Sequence, residues 1–348
     1  MQLEIIILIP KLDASGPARG AVALYNGFQK MGVPSKLVPM RKDPFDHGVN
    51  TNNFLAECGN IFQQIYKIKR EVKTHEKINK KMRIISFCLQ ADFLIYFSGL
   101  RSKSISSVRG NLYKNYTDEM GARGYFWACL HYNILSKFFL VTALNKDMYC
   151  DVRRFTKSVK LIPNFIDETT AINEGETASG QFKFVFVGKL SRRKGILETI
   201  DSFASLVTAF PSAELHIVGD GPLIANVQTS IDHYKINENV VIYGFKENPL
   251  SVLKRCDVLV LPSYSEGISR AAMEALFLGK RCIMQNVDGN IELIQSPKQG
   301  ILIEDIAHLE KAMLNLISHG RENDEMRLPD QFRQNSCVAD YLLELENS

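Results

Sequence analysis

Long hydrophobic runs are missing from this chain of 348 residues. No apolar run reaches the roughly 18 residues that a membrane-spanning helix needs, and the nearest candidate, 126–144, is interrupted by polar side chains. The first residues carry Glu4 and no basic side chain ahead of the short apolar run 5–9, which is too brief for the core of a signal peptide. These absences predict a cytoplasmic protein.

Paired cysteines and a biased composition are missing as well. The seven cysteines are an odd number without a CxxC pair, and several lie among apolar residues, so we expect reduced, buried thiols rather than disulfides or a zinc site. Apolar residues make up 45% of the chain and charged residues 23%. These fractions exclude disorder, collagen and coiled coil. At roughly 150 residues per domain, the length indicates two domains.

Two familiar nucleotide-binding signatures are also absent. No GxGxxG follows the first predicted strand, 3–9, which makes a dehydrogenase the least favoured class of enzyme. The GxxxxGK[ST] pattern of a Walker loop does not occur. No RNA- or DNA-binding signature accompanies the basic residues, so nucleic acid is not an expected partner.

Positive charge is concentrated in the first half of the chain. Residues 1–172 hold 25 lysines and arginines against 14 acidic residues, whereas residues 173–348 hold 17 against 24. The excess is densest in the basic segment, residues 61–83, where basic and apolar side chains are interspersed as in one or two amphipathic helices. Such helices bind anionic lipid surfaces. An ordinary solvated helix face is the alternative that charge alone leaves open.

Short β-rich runs alternate with helical patterns along the chain, and the polar stretch 167–180 (DETTAINEGETASG) is the best linker candidate. This alternation indicates an α/β protein with parallel sheets covered on both faces. The predicted strands are 3–9, 36–40, 83–88, 93–98, 105–108, 138–142, 159–162, 182–187, 214–218, 240–243, 258–261, 281–284 and 300–303. We predict two Rossmann-like, doubly wound domains that face each other across a cleft, 1–165 and 166–334, and a terminal helix, 335–348, for which packing on the first domain is one option.

The loop 188–195 (GKLSRRKG) leaves one of these strands and opens a predicted helix. Exposed N–H groups at a helix N-terminus carry partial positive charge, and four basic residues stand within six positions of this loop. Together they indicate a site for a phosphate or diphosphate. A plain solvated loop is the alternative.

A second loop, 262–269, follows the predicted strand 258–261 and carries Glu266. Glu274 stands on the second turn of the next helix, among alanine, methionine and leucine residues that indicate burial. A buried carboxylate needs hydrogen-bond donors, and the hydroxyls of a sugar or a ribose supply them. Two glutamates eight residues apart are a weak signal alone, and the strand, turn and helix start around them give the pair its weight.

Four short patterns make the second half of the chain resemble glycosyltransferase family 4, whose members are retaining enzymes of the GT-B architecture. Glu266 and Glu274 match the family's E-x7-E motif. The family's G-[RK]-L-x-x-x-K-G loop, V-G-D/E-G-P turn and P-N-G-V-D segment correspond to residues 188–195, 218–222 (VGDGP) and 162–167 (IPNFID). Residues 266–280 (EGISRAAMEALFLGK) look most like members that serve bacterial surface polysaccharide or lipopolysaccharide assembly.

The resemblance implies a role for each matching residue. Side chains that stabilise the leaving nucleotide or lie near the donor sugar would be Lys189, Lys194 and Glu266. Glu274 would bind the ribose hydroxyls, and Gly16 of the first domain would approach the diphosphate, where a side chain would collide with it. The residues that bind the nucleotide-sugar donor would be Gly16, Gly188, Gly267, Ile268, Ser269, Arg270 and Glu274.

The chain departs from the family at two positions. Lys189 stands where arginine is more common, so a point charge replaces a bidentate clamp. Many members also place a histidine after a central strand of the first domain, and the corresponding stretch here, 106–111, has Arg109 instead. Arg109 is therefore a candidate acceptor-side or phosphate-side residue, with a surface arginine as the alternative.

The implied reaction moves a sugar from a nucleotide-diphosphate donor, with a UDP-sugar favoured, to a hydroxyl of a saccharide acceptor that is lipid-linked. No D-x-D follows an apolar strand, so we expect no metal or other cofactor, with lysines in its place. A lipid-linked acceptor would bring the basic first half to the inner face of the cytoplasmic membrane. The alternatives are an epimerase-like enzyme of the same architecture and a non-catalytic subunit that binds nucleotide-sugars.

Overall fold

The computed structural model describes residues 2–13, 15–42, 48–78, 80–168, 180–246, 248–287, 289–321 and 325–347. The chain divides into two compact units. The first unit comprises Met1–Asp167 and Gln331–Ser348, and the second comprises Glu168–Asp330. The first unit thus extends two residues beyond the predicted boundary at 165. The predicted linker, 167–180, lies almost entirely outside the described residues.

The first unit is built on a six-stranded parallel sheet with the order β2-β1-β3-β4-β5-β6. Its strands are β1 (Gln2–Ile9), β2 (Ser35–Pro39), β3 (Lys80–Phe87), β4 (Ser104–Ser107), β5 (Leu140–Ala143) and β6 (Val159–Leu161). Its helices within 1–167 are α1 (Gly16–Lys30), α2 (Ile61–Lys77), α3 (Cys88–Ser98), α4 (Leu112–Met120), α5 (Arg123–Leu135) and α6 (Lys146–Arg153). The aliphatic run at 5–9 is almost fully buried, as expected for a parallel strand covered on both faces.

The second unit holds another six-stranded parallel sheet, with the order β12-β11-β10-β7-β8-β9. Its strands are β7 (Lys183–Val187), β8 (Glu214–Val218), β9 (Val240–Gly244), β10 (Val258–Leu261), β11 (Arg281–Gln285) and β12 (Gly300–Ile303). Its helices within the described part of 180–330 are α7 (Ile196–Ala209), α8 (Ile224–Tyr234), α9 (Leu250–Lys254), α10 (Arg270–Phe277), α11 (Asn290–Leu293) and α12 (Leu309–His319). This is the classical dinucleotide-fold strand order, and it reverses direction between β7 and β10.

The last helix, α13 (Gln334–Glu346), belongs to the first unit and packs against α1. A Cβ atom on Gly27 of α1 would lie only 2.4 Å from Cγ2 of Val338. The hydroxyl of Tyr341 is 2.8 Å from Oγ of Ser107 and 3.0 Å from Oγ1 of Thr142. The C-terminal helix therefore contributes both apolar and polar contacts to the core of the first unit.

One predicted strand is wrong. Residues 93–98 form the second half of helix α3. A short apolar run is compatible with a buried strand and with a buried helix, and here the buried positions Ala91, Leu94, Ile95 and Ser98 follow helical spacing. A helix is also the usual crossover between parallel neighbours such as β3 and β4.

The basic segment, 61–83, is only partly helical. Helix α2 ends at Lys77, and the following basic residues lie on strand β3. There Lys80 Nζ is 3.0 Å from a carboxylate oxygen of Glu4, and Lys81 Nζ donates to the carbonyl oxygen of Glu346 over 2.7 Å. Of the one or two amphipathic helices expected in this segment, the structure shows one, α2, and residues 80–86 pair with β1 instead.

The seven cysteines are free thiols. Cys256, Cys282 and Cys337 are buried as expected, whereas Cys150 is exposed. Burial raises the pKa of the Cys256 thiol to about 12, which keeps it protonated and unreactive.

A separate expectation concerned membrane spans: within the described ranges, no helix is both long and apolar enough to cross a bilayer.

Candidate functional site

Three loops of the second unit come together at the carboxyl ends of neighbouring strands. Loop 188–195 follows β7, turn 219–222 follows β8, and loop 262–269 follows β10. Strand β7 is paired with both β8 and β10. The strand order reverses between β7 and β10, and ligands of open α/β sheets bind at such switch points. The predicted phosphate loop and the Glu266 loop therefore stand where the fold favours a ligand.

The turn after β8 packs directly against loop 188–195. Gly219 has a φ of 147°, and a Cβ atom there would lie 1.9 Å from the carbonyl oxygen of Gly188. A Cβ atom on Gly221 would lie 2.4 Å from the carbonyl oxygen of Leu190, whose N–H donates to Asp220 over 2.9 Å. Both glycines are thus required for this close approach. In the sequence they stood out only as a family signature.

Loops 188–195 and 262–269 are fastened to each other. Gly195 has a φ of 70°, and a Cβ atom on it would lie 2.5 Å from the carbonyl oxygen of Pro262. The Arg193 guanidinium donates to the carbonyl oxygen of Ser265 over 2.6 Å, and the N–H of Tyr264 donates back to Arg193 over 2.9 Å. Arg193 therefore holds the second loop in place. The sequence indicated only that it adds charge, because its partner is a backbone atom distant along the chain.

Lys194 and Glu266, both predicted site residues, form an ion pair between Nζ and Oε1 although 72 positions separate them. Their side chains are 14% and 9% exposed. Lys189, on the same loop, is exposed. A sheltered pair of this kind holds the ammonium in a fixed position next to a carboxylate.

The remaining predicted donor residues surround the start of α10. Ser269 caps this helix, with its hydroxyl accepting from the N–H of Ala272 over 3.4 Å. Glu274 is buried in the middle of α10. A Cβ atom on Gly267 would meet nothing within 4 Å, so the packing of the protein does not require glycine there. Ile268 and Arg270 complete this stretch, with Ile268 buried.

Gly16 of the first unit is the first residue of α1 and is exposed at the carboxyl end of β1. A Cβ atom on Gly16 would meet nothing within 4 Å. Ser15, the N-cap residue, makes no capping hydrogen bond with its side chain. The role that the family resemblance gives Gly16 stays a prediction.

Arg109 follows β4 in the first unit and is half-buried rather than exposed. One guanidinium nitrogen donates to Asn164 over 3.2 Å, and the guanidinium carbon lies 4.2 Å from the ring centre of Phe87. Its Nε and Nη2 atoms are buried without a hydrogen-bond partner in the described part of the chain. Burial lowers the pKa of Arg109, and the ionisable groups that oppose this effect are Tyr341, Cys88 and Cys337. None of these three groups is normally anionic near pH 7.

The switch point therefore offers cations that can bind phosphate and carboxylates that can bind hydroxyl groups. Lys189, Lys194 and the helix starts after loops 188–195 and 262–269 can attract phosphate oxygens. Glu266 and Glu274 can accept hydrogen bonds from hydroxyl groups. Across the ranges that the structure covers, no three histidine, cysteine or acidic side chains are placed to hold a metal ion.

Comparison with known proteins identifies a matching family model and relatives of this chain. Residues 167–335 match the family model described as Glycosyl transferases group 1. A relative from Escherichia coli, UDP-Gal:alpha-D-GlcNAc-diphosphoundecaprenol alpha-1,3-galactosyltransferase, is 30% identical over 175 residues, which are 46% of this chain and 43% of that relative. The chain thus matches less than half the length of that relative.

Two solved structures resemble the whole chain. HepE from Anabaena, in complex with UDP, has a TM-score of 0.74 at 14% identity and is matched over 99% of this chain and 100% of HepE. The lipopolysaccharide outer core galactosyltransferase WaaB in its apo form has a TM-score of 0.70 at 15% identity, over 99% of each chain. The structural likeness confirms the predicted α/β fold of GT-B type with two Rossmann-like sheets. The family match and the relatives confirm the resemblance stated from the motifs.

Proposed function

We propose that this chain, whose residues 167–335 match the group 1 glycosyl transferases, moves a sugar from a nucleotide-diphosphate donor to a hydroxyl group of a saccharide acceptor. One observation carries the proposal: Lys194 and Glu266 are paired at the switch point of the second sheet, beside two helix starts. Departure of a nucleotide diphosphate leaves negative charge on its phosphates. Preorganised cations stabilise that charge, and such electrostatic help is commonly the largest catalytic term.

Each side chain of the site then has a defined task. Lys189 and Lys194 bind the diphosphate and stabilise the leaving nucleotide. Glu266 lies next to the same ammonium, where its carboxylate offsets the positive charge that develops on the sugar carbon. Glu274 accepts hydrogen bonds from the ribose hydroxyls. The N–H groups of 267–270 bind sugar or phosphate oxygens. Side chains, rather than a metal ion, neutralise the diphosphate in this proposal.

The relatives guide the choice of substrates. The name of the E. coli relative contains UDP-Gal and alpha-D-GlcNAc-diphosphoundecaprenol, and HepE was solved with UDP. We therefore favour a UDP-hexose or UDP-N-acetylhexosamine donor and a lipid-linked saccharide acceptor. Retention of anomeric configuration is what the family resemblance implies. The setting is surface polysaccharide or lipopolysaccharide synthesis at the inner face of the cytoplasmic membrane.

The experiment that tests the proposal measures nucleotide release from a panel of UDP- and GDP-sugars, with and without a lipid-linked acceptor. We expect release of UDP that depends on the acceptor, is unchanged by EDTA and yields a product with the donor's anomeric configuration by NMR. Interconversion of the donor without acceptor would instead identify an epimerase-like enzyme. Tight binding of UDP-sugars with no turnover on any acceptor would identify a non-catalytic subunit.

Arg109 supports an acceptor that carries an anionic group. A buried guanidinium without an anionic partner is unfavourable, and a substrate phosphate or carboxylate that reached it would supply the missing charge. Replacing Arg109 by glutamine should raise the KM for a diphosphate-linked acceptor by about tenfold or more, with less than a twofold change in the KM for the donor.

The matched control is Arg154→Gln, since the Arg154 side chain of the same unit is mostly exposed. That variant should leave both KM values unchanged. An acceptor analogue without phosphate should be used equally well by the Arg109→Gln variant and the original protein. An equal rise in KM for the charged and the uncharged acceptor would show that Arg109 does not recognise an anion.

A further inference from the structure

Helices α2, α3 and α5 of the first unit lie side by side, with α3 in contact with both of the others. The ring of Phe93 on α3 stacks on His131 of α5, with centroids 6.4 Å apart. On α5 the outward residues include Tyr125, Phe126, Trp127 and Leu130. Large apolar side chains are thus exposed on helices whose inner sides are well packed.

The two neighbouring helices expose large apolar side chains as well. Phe97 of α3 and Phe62 and Tyr66 of α2 are also exposed, and the seven residues are between 37% and 78% exposed. Single exposed apolar residues are ordinary. A set shared by three adjacent helices marks an interaction site, and none of these residues has a task in the proposed reaction.

The exposed side of α2 combines this apolar surface with positive charge. After Phe62 and Tyr66 it presents Lys69, Arg70, Lys73 and Lys77, and all six positions fall within about 100° of the helix circumference. The acidic residues of α2 are engaged with lysines elsewhere, since Glu71 pairs with Lys36 over 3.0 Å and Glu76 pairs with Lys103. Helix α5 has no acidic residue and begins with Arg123.

We propose that α2, α3 and α5 form a docking face that binds an anionic lipid bilayer, with the aromatic residues entering the interface and the basic stripe of α2 contacting the headgroups. Aromatic side chains concentrate at membrane interfaces, and basic side chains near an anionic surface add to the attraction. A second copy of the chain is a poor occupant because a twofold contact would bring like-charged stripes together. The inference rests on the proposed lipid-linked acceptor. It excludes the basic residues of β3 and adds the aromatic residues of α5.

Vesicle binding of the full chain, without substrates, tests this face. We expect binding to vesicles of phosphatidylcholine with phosphatidylglycerol, and about 10-fold or more weaker binding to phosphatidylcholine alone. Trp127 is the only tryptophan, so its fluorescence should shift to shorter wavelength on binding and be quenched by brominated lipids. Unchanged Trp127 fluorescence on vesicles that the protein does bind would overturn the proposal.

Two sets of variants separate the charge from the apolar contribution. The triple variant Lys69→Gln, Arg70→Gln, Lys73→Gln should lose about 100-fold in affinity for anionic vesicles. The control Lys42→Gln, Arg154→Gln, Lys157→Gln removes the same charge from other exposed positions and should lose less than threefold. The variant Phe126→Ser, Leu130→Ser should abolish the fluorescence shift. Equal losses in the two triple variants would show that only net charge matters and would overturn the proposal.

Turnover on a water-soluble acceptor analogue keeps this inference apart from the proposed function. Sugar transfer to the analogue with no vesicle binding would refute the docking face and leave the function standing. Vesicle binding with no turnover on any acceptor would refute the proposed function and leave the docking face standing. Concentration-dependent dimerisation that buries Trp127 in the absence of lipid would refute the bilayer as the occupant.

Discussion

Replacing Lys194 by methionine is expected to lower kcat for sugar transfer by about 100- to 1000-fold. Methionine keeps most of the apolar length of the side chain and removes the ammonium, so the phosphates of the leaving nucleotide lose a fixed cation. The measurement is steady-state transfer with the best UDP-sugar from the donor panel. Lys298→Met, at an exposed position of the same unit, is the control and should keep full activity.

Loss of the ammonium also removes the ion pair with Glu266, so a structural cause must be excluded. Far-UV circular dichroism and urea unfolding show whether the second unit of the Lys194→Met variant is intact. A kcat within threefold of the original value, in a folded variant, would contradict the role given to Lys194. So would a variant in which only the KM for the acceptor changes.

Glu266→Gln gives a prediction of opposite sign for nucleotide binding. Glu266 and Lys194 form an ion pair in the absence of donor, so the Glu266 carboxylate competes with phosphate for the Lys194 ammonium. Glutamine should therefore tighten the binding of UDP several-fold while it lowers turnover, since the sugar carbon loses a neighbouring negative charge. Isothermal titration with UDP and steady-state kinetics give the two quantities. Weaker UDP binding by a folded variant would show that the carboxylate does not compete with phosphate.

The main features of the switch-point site could be predicted because they are encoded locally. Loops 188–195 and 262–269 each follow an aliphatic strand and precede a helix, and parallel sheets bring such loops to one edge. The contacts that fix the site could not be predicted in this way. Arg193 is bound by a backbone carbonyl of the other loop, and Gly219 is needed because of Gly188. Neither contact can be predicted from the periodicity of the side chains along the sequence.

The first unit was harder to read from the sequence for two physical reasons. Residues 93–98 are apolar enough for a buried strand, and only their place between β3 and β4 makes them a helix. The exposure of the aromatic residues of α5 could not be predicted, because exposure depends on which side of a helix the neighbouring elements leave uncovered. Charge alone located the basic stripe of α2, while its continuation on β3 proved to be engaged in ion pairs and backbone contacts.

Val338→Asp is expected to unfold much of the first unit, because this position of α13 is completely buried against α1. A carboxylate buried in this apolar contact is strongly unfavourable, and the free energy of unfolding should fall by more than about 4 kcal/mol. Leu343→Asp is the control on the same helix, since Leu343 is 53% exposed, and should change that free energy by less than about 0.5 kcal/mol.

The chain's single tryptophan makes the readout specific for one unit. Trp127 lies on α5 of the first unit and the second unit has none, so tryptophan fluorescence during urea unfolding follows the first unit, and far-UV circular dichroism follows both. Val338→Asp should move the fluorescence midpoint to much lower urea and leave a second, later transition in the dichroism signal. Coincident midpoints for Val338→Asp and Leu343→Asp would mean that α13 is dispensable for the first unit, against the contacts of Val338 and Tyr341 with its core.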